Sequence, residues 1–94
     1  MRRLSLAKAK SLISAKPELM ELGAYLVQGG VGRNTTADLV AEAADATIDF
    51  EKHVKGDLGR ALEAIDRAVF RTAAWLLFPL MQQAAQKAGE RIGA

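Results

Sequence analysis

The sequence predicts an all-α fold, a small bundle of four to five helices in one domain over residues 1–94. Three observations carry that expectation. Apolar residues recur at spacings of three and four along most of the chain. Strict alternation never lasts beyond a few positions, and β-branched residues are scattered. Pro, Gly, Ser and Thr fall where helices would stop and start.

Each element has a local reason. Ser5 is placed to cap a helix over 6–15, with Leu6, Ala9 and Ile13 on one side. Lys16 ends it, because the residue before a proline disfavours the helical region. Pro17 then suits the first position of a second helix, with Glu18 and Glu21 near its positive end. Leu19, Leu22, Gly23, Leu26 and Val27 share one face of that helix. The segment Gly29-Gly30-Val31-Gly32-Arg33-Asn34 stops it, with Gly29 as the expected left-handed C-cap.

Thr35 or Thr36 is expected to cap the third helix, with Asp38 in its first turn. Its wheel places Leu39, Val40, Ala43, Thr47, Phe50 and Val54 within about 100° of each other, as an inward face. Asp38, Glu42, Asp45 and Asp49 lie opposite, as a solvated stripe. Gly56 and Gly59 predict a break, and a single helix over 37–78 kinked there is the alternative. In the fourth helix Leu58, Leu62, Ile65, Val69, Thr72 and Leu76 alternate by four and three, a heptad-like seam. Pro79 must end or kink that helix. A last helix over about 80–92 is rich in alanine.

Composition narrows function. The chain has 94 residues, no cysteine, 50% hydrophobic residues and a net charge of +2. Disulfide frameworks, thiolate metal sites and cysteine nucleophiles are excluded. A chain this short buries only about 60–65% of its unfolded surface, so self-association would help it. The small net charge hides a dipolar chain. Arg2, Arg3, Lys8, Lys10 and Lys16 lie in an acid-free first segment, and 38–51 holds five acids and no base. Lys8 and Lys10 interrupt any secretory core behind Arg2-Arg3, so the first fifteen residues read as an ordinary first helix. The apolar run over 73–81 has nine residues, far short of the ~20 that span a bilayer. A cytoplasmic protein, with no membrane partner, is expected.

Candidate chemistry is sparse. The Gly-rich segment before the third helix invites a phosphate, with Arg33 adding charge. It lacks the terminal Gly-Lys-Ser/Thr of a phosphate loop and the strand of a dinucleotide fingerprint. The acidic stripe and His53 lack the Glu-x-x-His pattern of helical metal sites. One histidine, no cysteine and no serine elbow argue against catalysis. No catalytic residue, cofactor, metal or small-molecule substrate is expected.

Two functional expectations remain. The first is a non-enzymatic protein–protein interaction module: an adaptor, an inhibitor or an assembly subunit. It would pair with itself through the apolar segment 69–81, with Phe70, Trp75, Leu77, Phe78 and Met81 as contact residues. These side chains point in more directions than one helix face can bury. The second is nucleic-acid binding through Arg2, Arg3, Lys8 and Lys10, with a stripe of Arg60, Arg67 and Arg71.

Overall fold

A computed structural model describes residues 4–54 and 64–93, with side chains described over 4–48 and 67–89. The described residues form five helices and no strand: α1 Leu6–Ser14, α2 Pro17–Gln28, α3 Arg33–Val54, α4 Ala64–Leu76 and α5 Phe78–Gly93. The protein is a small all-α bundle.

Ser5 caps α1 as its sequence predicts: the Lys8 N–H donates to Ser5 Oγ at 3.1 Å. Ala9 and Ile13 are buried, whereas Leu6 stays 40% exposed. Lys16 is extended, and Pro17 opens α2 with its fixed φ and without a wasted N–H. At the other end of α2 the left-handed residue is Gly30, at φ 82°, not Gly29 at φ −76°. The Gly30 N–H donates to Val27 O and the Val31 N–H to Leu26 O, both at 3.0 Å. This pair of bonds is the Schellman motif, and it requires the positive φ one residue past the C-cap.

The tight turn starts α3 sooner than expected. The Thr36 N–H donates to Gly32 O at 2.9 Å, so Arg33 is already helical. Thr35 and Thr36 therefore sit in the first turn rather than capping it, and Asp38 falls beyond that turn. Thr36 is buried, and its hydroxyl donates to Val31 O at 3.4 Å.

The inward face of α3 is also rotated from expectation. Ala37, Val40, Ala41, Ala44 and Ile48 are buried, while Leu39 is 40% exposed. Alanines allow close approach of a neighbouring helix, and α4 is the helix that packs most extensively there. Asp38 pairs with Arg71 and Asp45 with Arg67, so α3 and α4 run antiparallel. α3 and α4 thus lie side by side, and residues 55–63, where the break or kink was expected, lie outside the described residues. Gly56 and Gly59 lie outside the described residues.

The remaining layers follow from two shared helices. α4 packs between α3 and α1, and α2 packs between α3 and α5. Phe70, Ile13, Leu19, Met81 and Val40 are the largest fully buried apolar side chains. At the α2–α5 crossing a Cβ on Gly23 would overlap the Met81 side chain, so the lack of one admits it.

Two glycines separate conformational need from helix propensity. Gly30→Ala should destabilise the fold by about 1–2 kcal/mol, the cost of a left-handed non-glycine residue. Gly89→Ala sits in a helix with open space around it, and should stabilise by up to about 1 kcal/mol. Denaturant midpoints at equal m-value read both signs.

Candidate functional site

Phe70, Leu77 and Met81 were expected on a contact surface, and the structure corrects all three. They are 0%, 5% and 0% exposed, inside the core. α4 is wrapped by α1 and α3, and that wrapping absorbs the apolar side chains that a single packed face would leave out. The other two expected contacts remain accessible. Trp75 is 36% exposed and Phe78 is half-buried.

Trp75 is fixed from several sides, and the reason starts at Pro79. An uninterrupted helix would have residue 79 donate its N–H to Trp75 O, but proline has no N–H. Arg33, at the start of α3, fills the vacancy. Its Nε and Nη2 donate to Trp75 O at 3.0 and 2.8 Å. The same guanidinium lies 3.4 Å over the Trp75 ring centroid and 5.6 Å from that of Phe78. Trp75 Nε1 donates to Asn34 Oδ1 at 3.1 Å. The Gly-rich segment therefore delivers Arg33 to a helix end, and the phosphate reading loses its cation to that bond.

Beside Trp75 an apolar row faces outward. Among the described residues of the expected seam, Val69 is half-buried and packs against the core, whereas Thr72 and Leu76 are exposed. Leu58, Leu62 and the Ile65 side chain lie outside the described residues. The buried face is Phe70, Ala73, Ala74 and Leu77, turned away from the seam. Leu76 and Leu80 are 41% and 48% exposed, and Leu6 of α1 is 40% exposed. Leu6, Ala68, Val69 and Thr72 enclose a groove of about 220 Å³. Thr72 Oγ1 donates to Ala68 O at 3.1 Å, which leaves its methyl as the outward group. Leu6 and Leu80 were missed in the sequence, since one was assigned inward and the other lies beyond Pro79.

The far side of α4 carries the charge. Arg67 Nε donates to Asp45 Oδ2 at 2.7 Å, and Nη2 reaches the same oxygen. Arg71 Nε donates to Asp38 Oδ1. Asp45 is 7% exposed, which corrects its place in a solvated stripe. The two arginines of the expected nucleic-acid stripe are thus already matched by carboxylates. Lys8 and Lys10 are exposed on α1, and Arg2, Arg3 and Arg60 lie outside the described residues. A larger groove of about 390 Å³ between α2 and α5 has Glu21, Tyr25 and Gln28 among its lining.

No family model matches the chain, and no curated protein or solved structure matches it either. Among the described residues, no helix is long and apolar enough to cross a membrane, and no group of three or more His, Cys, Asp or Glu could hold a metal ion.

Three substitutions test these contacts. Arg33→Ala removes charged hydrogen bonds and should cost about 1–3 kcal/mol. Trp75 is the chain's one tryptophan, so its emission should shift even below the unfolding transition. Arg67→Ala leaves the Asp45 carboxylate buried without its cation and should cost about 1–3 kcal/mol. Arg71→Ala, facing a half-exposed Asp38, should cost less than about 1 kcal/mol. Equal losses at Arg67 and Arg71 in thermal or urea unfolding would refute that ranking.

Proposed function

We propose that this chain is a non-enzymatic helical interaction module that self-associates. Its contact face is the outward row of α4 and the start of α5: Val69, Thr72, Trp75, Leu76 and Leu80, flanked by Leu6. A cytoplasmic location is part of the proposal. The observation that carries it is that Leu6, Trp75, Leu76 and Leu80 are large apolar side chains left 36–48% exposed. Exposed apolar patches mark contact sites on small soluble proteins.

The surroundings support the same reading. The one cation stacked on the row, Arg33 over Trp75, has its Nε and Nη2 already bonded to Trp75 O. Trp75 is held by Arg33 and Asn34, which lowers the entropy lost when an aromatic anchor is buried. The nucleic-acid reading has less to stand on, since Arg67 and Arg71 face carboxylates and the exposed described bases of α1 are Lys8 and Lys10.

Sedimentation velocity over a concentration series tests the proposal. The wild type should move from monomer towards dimer as concentration rises. Leu76→Lys with Leu80→Lys should weaken association by about 2–4 kcal/mol. Both side chains are largely exposed, so circular dichroism and melting temperature should change little. A double variant that associates like the wild type would sink the proposal.

A further inference from the structure

The groove between α2 and α5 has a chemistry of its own. It holds about 390 Å³, inside the range of roughly 300–1,000 Å³ that small-ligand sites occupy. Met20 and Ala24 of α2 and Ala84 and Ala88 of α5 give it an apolar lining. Three of these four are alanines, whose short side chains leave the space open.

The polar groups of the groove favour one sign of charge. Glu21 is its one charged residue among the described residues. It is exposed and makes no ion pair there. Tyr25, one turn along α2, is 72% exposed and offers a ring face and a phenol. Gln28 Nε2 donates to Ala85 O at 3.0 Å, and its Oε1 carries no bond among the described residues. Lys87, between Ala84 and Ala88 in sequence, does not line the groove. A carboxylate, an amide oxygen and an electron-rich ring beside an apolar lining suit a cation that donates N–H groups.

We infer that this groove binds a small primary organic ammonium with an aromatic or similarly bulky apolar body. The ammonium donates to the Glu21 carboxylate beside the Tyr25 ring, and the body lies on Met20, Ala24, Ala84 and Ala88. An anion of the same shape meets Glu21 with like charge. No residue of this groove belongs to the row proposed for self-association, so the two readings stand or fall separately.

Phenethylammonium is the probe, and 3-phenylpropionate carries nearly the same body with the opposite charge. In proton–nitrogen correlation spectra of the full chain at low salt, phenethylammonium should cause saturable shifts at Met20, Glu21, Tyr25 and Ala88. Phenylpropionate should bind at least about tenfold more weakly. Glu21→Gln should weaken the ammonium at least about fivefold. Glu42→Gln, at an exposed acid of α3, should leave it unchanged. Tyr25→Leu keeps apolar bulk without the ring face and should weaken binding about two- to fivefold. Glu21 and Tyr25 are exposed, and circular dichroism verifies folding of each variant.

Equal affinity for the two probes, or Glu21→Gln binding like the wild type, overturns the inference. So does the absence of saturable shifts, or shifts confined to residues outside the groove. Unchanged binding in Tyr25→Leu overturns the placement beside the ring.

Discussion

The carbonyl of Trp75 is the point on which the bundle turns. Pro79 removes the donor that would satisfy it, and a helix-end carbonyl left dry would cost about as much as a lost hydrogen bond. Arg33 supplies two N–H groups from the first turn of α3. That position is set in turn by the Gly30 turn, which closes α2 and starts α3 at Arg33. With the break secured, α5 leaves α4 at Leu77 and lies on α2. Met81 then fills the space that Gly23 leaves open, and the Gln28 amide donates to Ala85 O at 3.0 Å. Two residues with no side-chain hydrogen bonds of their own, Gly30 and Pro79, thus decide where a distant arginine must go.

Helix packing in this bundle is decided by small residues rather than large ones. The buried faces of α3 and α4 include Ala37, Ala41, Ala44, Ala73 and Ala74, with Val40, Ile48, Phe70 and Leu77 among them. Alanine buries little area itself, but it lets two helices come close enough for the larger side chains to interdigitate. Thr72 and Leu76 of the expected heptad-like seam are left on the flank as a result. That displacement turns a pattern of core-like appearance into an outward row, and it is the basis of the proposed function.

Charge follows the same logic. Asp45 lies on α3 at the edge of the α4 contact, where the packing withdraws it from water, and Arg67 meets it there. Asp38, farther out, keeps 55% of its side chain exposed and pairs with Arg71. The ion pairs align the antiparallel helices and occupy the arginines that would otherwise read as a basic stripe. The side of α4 left free of charge is the apolar one.

The sequence by itself determined the helical class, most helix boundaries, the Ser5 cap, the Pro17 start and the break near Pro79. These depend on local chemistry: hydroxyls that cap, rings that fix φ, and periodic apolar residues. Tertiary structure decided which face each helix turns inward. A helical wheel weights Leu39, Thr72 and Leu76 by hydrophobicity, whereas packing weights Ala37, Ala41 and Ala73 by the approach they permit. It also decided that Phe70, Leu77 and Met81 are core and that Trp75, Leu76, Leu80 and Leu6 are surface. No local rule contains that division, because it depends on which neighbouring helix covers each side, and contacts such as Arg33 to Trp75 join residues forty-two positions apart.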